Sequence, residues 1–157
     1  MSRYRFLTTW LLDAPREPAW ELLQNVVSWP SWWRGVVAVD ELDPGDANRE
    51  GSRYSIEWRS RLPYSLRFDF RTDRVERPLL MEGRAFGELA GTGRWRLFEQ
   101  DGLTAVLYEW DVETTRPWMN RVGPLARPLF AWNHDVVMGW GGEGLARRLG
   151  ARLLAAG

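Results

Sequence analysis

Few side chains in this sequence are equipped for acid-base, nucleophilic or metal chemistry, and their scarcity bounds what the protein does. His134 is the single histidine, and there is no cysteine. A zinc or other transition-metal site needs several such ligands, so neither a metal nor any other cofactor is expected. A Ser-His-acid triad would have to be built on His134, and no serine in a glycine-rich elbow accompanies it. His134 itself reads as a structural histidine at the boundary of helix and sheet. Its neighbour Asn133 carries an amide that must find partners once buried, either within the core or on a ligand carbonyl or hydroxyl. Tyr54 and Tyr108 can donate hydrogen bonds. Arg74, on the parity of Phe68 and Phe70, either polarises a carbonyl at a cavity mouth or reaches solvent from a strand end. Against this thin equipment stand 11 tryptophans. Each is large and carries one donor that wants a partner when buried, so many of them in a small domain build either a wide aromatic core or the wall of an apolar pocket.

The elements that must position these groups follow from periodicity. Residues 4–12 alternate bulky side chains and predict a strand with Phe6, Thr8, Trp10 and Leu12 on one face. Asp13, Pro15 and Glu17 predict a helix start at about Pro15, with Asp13 as its cap and Trp20, Leu23 and Val27 as its buried stripe. Trp29-Pro30 ends it, and a second short helix opens around Ser31 to Trp33. From Val36 to Glu113 the period switches to two, with turn signals at Pro44-Gly45-Asp46, Pro63, Pro78, Gly91 and Asp101-Gly102. The predicted strands are 36–42, 53–60, 65–76, 79–89, 92–99 and 103–113, an antiparallel meander. Leu66, Phe68, Phe70 and Thr72 alternate with Arg67, Asp69, Arg71 and Asp73, one dry face against one wet, ion-paired face. In strand 79–89 the small set Met81, Gly83, Ala85, Gly87 and Leu89 is turned inward, because burying Glu82, Arg84 and Glu88 would cost several kcal/mol per ion. Small residues facing in leave volume unfilled.

The last third predicts a long helix, about Leu125 to Leu153. With Leu129 at the centre of a face, Phe130, Asn133, Val137, Trp140, Gly141 and Gly144 share its arc, and Ala131, Asp135, Gly142 and Ala146 fall opposite. Pro128 sits in its opening turns, where a missing N–H is tolerated at the cost of a kink. Gly141, Gly142 and Gly144 each cost a helix roughly 1 kcal/mol relative to Ala. They serve either close packing or space for a ligand; lying inside a helix, they form no phosphate loop.

Composition narrows the partners. A chain of 157 residues suits a single domain with one core, spanning 1–157. Lys+Arg and Asp+Glu both number 21, so no global field favours nucleic acid or an acidic membrane. All 21 of the Lys+Arg residues are Arg, which points to a GC-rich coding bias. Without an apolar run of about 18 residues or a signal-like N-terminus, the expectation is a cytoplasmic protein with no transmembrane segment.

Three stretches carry a family resemblance: Ala14 to Val39, with Ala19-Trp20 and Trp29-Pro-Ser-Trp32-Trp33-Arg-Gly-Val36; Gly87 to Leu97; and Asn133 to Met138 with Gly144 to Leu149. They resemble the START-like helix-grip superfamily (SRPBCC), in particular its bacterial polyketide cyclase/dehydratase and lipid-transport branch. The resemblance implies an α+β fold in which a curved seven-stranded antiparallel sheet wraps a long C-terminal helix, with two short helices between the first two strands. It also implies an apolar cavity for lipids, isoprenoids, polyketides or similar molecules. The superfamily includes enzymes, carriers and sensors, so fold does not settle function, and no position maps onto a catalytic set.

Three readings follow. The first is binding or transport of a small hydrophobic molecule in a cavity lined by Trp10, Tyr54, Trp58, Phe68, Phe70, Trp95, Tyr108, Trp110, Asn133, Val137 and Trp140. The second is a cyclase- or dehydratase-type enzyme using the same cavity. Both require a hollow of at least about 300 Å3. The third is an interaction module with a filled groove and an exposed contact patch at Trp29 to Trp33.

Overall fold

The computed structural model describes residues 3–157, the side chains at 123 and 124 apart. Strand β1 (Arg3–Leu12) leads into helix α1 (Arg16–Gln24), a 3-10 turn over Val26–Ser28 and helix α2 (Trp29–Trp32). A meander follows: β2 (Val36–Asp43), β3 (Arg53–Arg59), β4 (Ser65–Glu76), β5 (Leu80–Gly87), β6 (Leu89–Gln100) and β7 (Leu103–Thr114). Short helix α3 (Pro117–Arg121), long helix α4 (Gly123–Leu149) and strand β8 (Leu153–Ala156) complete the chain. The sheet order is β2-β3-β4-β5-β6-β7-β1-β8, antiparallel throughout.

The sheet has eight strands where the sequence reading gives seven. The extra one, Leu153–Ala156, begins where the long helix is expected to end. Gly150 takes a left-handed φ of 66° and closes α4 there, so the chain turns back and Leu153–Ala156 pairs with β1. At the other sheet edge β2 pairs with β3 alone. Gly91 is not a turn: it lies within β6, which begins at Leu89.

Period two holds along the meander because only one sheet face is covered. Tyr54, Ile56, Phe68, Tyr108, Trp110 and Val112 are buried. The outer face carries Arg53–Asp69, Arg67–Glu57, Arg84–Asp73 and Arg94–Glu82 ion pairs at 2.7 to 3.0 Å. Such exposed pairs contribute little stability individually and mainly keep this face wet. Strand β5 turns Met81, Gly83 and Ala85 of the small set inward as expected, while Gly87 is exposed at its end and Leu89 is buried at the start of β6. The volume beside them is nonetheless filled. Gly83 and Gly93 are partners across β5 and β6, and the rings of Phe70 and Trp110 lie where their side chains would be.

Two local assignments change at the N-terminal helices. Asp13 does not cap α1; the Arg16 amide is met by the Glu99 carboxylate of β6 at 2.8 Å, which ties the helix start to the sheet. Val27 is about half exposed, because α1 has already given way to the 3-10 turn there, and the buried stripe consists of Ala19, Trp20 and Leu23. The Trp29, Trp32 and Trp33 side chains are buried, so they form no exposed patch.

Candidate functional site

The space between sheet and α4 is decided by which face the helix turns inward. Phe130, Val137, Met138, Gly141, Gly142, Leu145 and Ala146 are buried, with Asn133 and His134 half-buried among them. The inward face is therefore rotated from the expected one. Leu129 is exposed, and Gly142 and Ala146, assigned to the outer side, face in. Helical period alone cannot orient a face on which glycines stand for the largest contacts.

Toward its C-terminal end α4 is packed tight against indoles. A Cβ on Gly141 would stand 2.5 Å from the Trp33 ring, one on Gly142 2.9 Å from the Trp10 ring, and one on Gly144 inside the Trp32 carbonyl oxygen. The two indoles also use the helix as acceptor: Trp33 Nε1–H donates to the Val137 carbonyl at 2.9 Å, and Trp10 Nε1–H to that of Met138 at 3.1 Å. Gly141 and Gly142 each stand four residues beyond the carbonyl their indole reaches, where a side chain would block the approach. Of the two roles open to these glycines, close packing is the one realised. Trp33 is the hub of this end, with ring centroids of Trp10, Trp29, Trp32, Trp58 and Trp95 within 4.9 to 6.0 Å.

Toward the N-terminal end of α4 the packing opens into a hollow of about 100 Å3. Its floor and walls come from the inner face of the sheet, including Phe6, Phe68, Tyr108 and Trp110. Its roof is Asn133, His134, Val137 and Met138 of α4, and its rim includes Arg59, Tyr64, Met119 and Phe130. The rim is pinned by the corner after β7. The Thr115 hydroxyl donates to the Gly87 carbonyl at 2.7 Å and Arg116 pairs with Glu88 at 2.6 Å, which holds α3 so that Met119 closes one side. A second hollow of about 30 Å3 lies beyond Trp58, Phe68 and Tyr108, the residues that line both. The larger space is about a third of the volume expected from the sequence. A hollow of this size encloses a small group and not a whole ligand of the classes expected.

Of the residues assigned to a cavity, Trp58, Phe68, Tyr108, Trp110, Asn133 and Val137 line the larger hollow. Tyr54, Phe70 and Trp95 border only the smaller one. Trp10 and Trp140 border neither. Trp10 is spent on packing against Gly142, and the rotation of α4 puts Trp140 on the flank, under the Arg34 guanidinium at 4.2 Å. Arg74 is also displaced. A bulge between Thr72 and Arg74 shifts the parity of β4, so that Val75 is buried and Arg74 points out to pair with Glu76 and Glu82. The sequence reading missed Phe6, Tyr64, Met119 and Phe130 as lining residues. Phe6 was legible from the alternation of β1; Tyr64 and Met119 lie in a loop and a one-turn helix, where no period marks a face.

The hollow is dry-walled but not apolar. Trp58 Nε1, Tyr64 OH, Asn133 Oδ1 and both ring nitrogens of His134 are buried without a hydrogen-bond partner among the described residues. His134 stacks its face on Phe6 at 3.9 Å and 13° between planes, so its nitrogens lie at the edge of the stack, both buried. Burial pushes its pKa down to about 4; the Asp135 carboxylate opposes this from 3.6 Å, beyond hydrogen-bond reach. The imidazole is therefore neutral near pH 7. Burial likewise pushes the Tyr64 phenol up to about 12, offset in part by Arg116, and raises that of Tyr108. Both stay protonated as donors. Among the described residues no group of His, Cys, Asp and Glu could hold a metal ion.

No family model matches the chain, and no curated relative does. Solved structures do. The Zhui aromatase/cyclase from Streptomyces sp. R1128 superposes with a TM-score of 0.73 at 15% identity, over 93% of this chain and 95% of that one. A START superfamily protein from Mycobacterium smegmatis gives 0.72 at 13% identity, over 96% and 98%. The ginseng major latex-like protein 151 from Panax ginseng gives 0.62 at 9%, over 85% and 99%. The architecture is thus the helix-grip fold of the START-like proteins, with α4 as the gripped helix. No helix among the described residues is long and apolar enough to cross a membrane.

Proposed function

We propose that the protein binds a small hydrophobic molecule in the hollow beneath the N-terminal half of α4. One observation supports this reading: a space walled by aromatic side chains in which four residues present buried polar atoms with no hydrogen-bond partner among the described residues. A native core satisfies such atoms, so their convergence on one hollow is the mark of a site completed by a ligand. The likeness to an aromatase/cyclase and a START superfamily protein supports the same reading at the level of fold. A soluble carrier or sensor of a lipid, isoprenoid or polyketide-like molecule, acting in the cytoplasm, fits it.

The second reading, an enzyme of the cyclase or dehydratase type, rests on the buried His134 and the two protonated tyrosines in the hollow. It is the weaker one, because a histidine held neutral down to about pH 4 is a poor proton carrier at pH 7 and Arg74 lies outside. Native mass spectrometry of the freshly purified protein, followed by denaturing extraction, tests the first reading. A stoichiometric hydrophobic adduct lost on denaturation is expected. An apo mass that no lipid, quinone or polyketide extract shifts would sink it, and turnover of a bound adduct would move the protein to the second reading.

A further inference from the structure

The size of the hollow and the kinds of atom left open in it define the bound group more narrowly than hydrophobicity does. Resting on the ligand-binding reading above, we infer that the hollow takes a neutral head group of about one ring carrying a hydroxyl, held between Trp58 and Tyr64 on one wall and Asn133 and His134 on the other. Volume sets the first limit. A cavity of about 150 Å3 accommodates benzene, so a hollow of about 100 Å3 has room for one ring at most and leaves any longer part of the ligand outside it.

Hydrogen-bond chemistry sets the second limit. Trp58 Nε1–H is a donor only, and Asn133 Oδ1 an acceptor only. The Tyr64 hydroxyl is both, and a neutral imidazole offers one nitrogen of each kind. None has a hydrogen-bond partner among the described residues, although the Asp135 carboxylate lies 3.6 Å from His134 Nδ1. A bare hydrocarbon ring would bury every one of them unpaired, which is costly. A carboxylate would find donors in Trp58 and Tyr64 but would set its charge against the Asn133 oxygen. Among the described residues that line the hollow Arg59 is the one cation, His134 being neutral, and its exposure to solvent lets it offset little of a buried charge. A hydroxyl donates to one wall and accepts from the other. The flat walls of Phe6, Phe68 and Trp110 favour placing it on a ring, as in a phenol or an enolised ring ketone.

The experiment compares three para-methyl probes of equal ring size, toluene, p-cresol and p-toluate, by calorimetric titration of the full chain at pH 7. Because p-cresol alone satisfies both walls, it is expected to bind at least about tenfold more tightly than either other probe. In Asn133→Leu and His134→Phe variants the preference over toluene should shrink toward unity while toluene binding persists. Toluene or p-toluate binding as tightly as p-cresol would overturn the hydroxyl inference and leave the binding reading standing. If none of the three binds and the native protein also carries no adduct, the binding reading itself fails, and this inference with it.

Discussion

The two ends of the space beneath α4 are built from the same materials and finished differently. At the C-terminal end the indoles of Trp10 and Trp33 reach helix carbonyls over glycines. Those of Trp29 and Trp32 find the Leu23 carbonyl and the Ser28 hydroxyl. At the N-terminal end the Trp58 indole N–H, the Tyr64 hydroxyl, Asn133 Oδ1 and the His134 ring nitrogens have no hydrogen-bond partner among the described residues. Aromatic content is therefore no guide to a binding site in this protein. Satisfaction is the discriminating property: one end is closed by its own hydrogen bonds, and the other is left with valences that a ligand would meet.

The sharpest way to break that contrast is to overfill the closed end. Gly144→Ala drives a methyl group into the Trp32 carbonyl oxygen, a backbone atom that cannot swing aside. The loss of stability should reach about 3 kcal/mol or more, beyond the usual cost of an overpacked methyl. Gly142→Ala meets a ring 2.9 Å away, which has more freedom to shift, and should cost about 1–2 kcal/mol. Chemical denaturation of the two variants measures both. A Gly144→Ala protein as stable as the parent would mean that α4 and α2 do not meet as described.

How far this was readable from sequence differs between the ends. Six meander strands, the N-terminal strand and the long helix were legible because one-sided burial imprints period two on strands and a long apolar stripe on the helix. Strand β8 was not, since Leu153–Ala156 continues a pattern that reads equally as helix, and only the left-handed turn at Gly150 separates them. The closed end was half legible. The glycines announced either contact or space, and sequence holds no measure of which indole lies over them. The open end was least legible. Trp58, Phe68, Tyr108, Trp110, Asn133 and Val137 could be assigned to a hollow by face. Tyr64 has no face, and the bulge that turns Arg74 outward leaves no local signal.

Acid should expose the difference at the open end. His134 has a folded pKa near 4 against about 6.5 unfolded. Between these values the unfolded chain binds the proton and the folded one does not, so its contribution to stability is complete above about pH 6.5 and declines as pH falls toward 4. The decline should amount to roughly 2–3 kcal/mol, slightly moderated by Asp135 at 3.6 Å. Denaturation midpoints measured at pH 7, 6, 5 and 4 should fall in the parent and fall less steeply in His134→Phe. Equal slopes in the two proteins would place the imidazole in water and remove it from the hollow.

The smallest expected effect is the most telling about whether the open end is unfinished. Asn133 Oδ1 is buried with no hydrogen-bond partner among the described residues. If the amide contributes nothing to the apo fold, Asn133→Leu replaces an uncompensated polar group by an apolar one of similar volume, which is neutral to stabilising. The variant should gain up to about 1 kcal/mol in denaturant while losing affinity for a hydroxyl-bearing probe. A trade of that sign, stability against binding at one residue, is expected where a fold holds polar groups in reserve for something else. A loss of more than about 1 kcal/mol would show instead that the amide is already satisfied in the folded state, and the two ends of the molecule would then be finished alike.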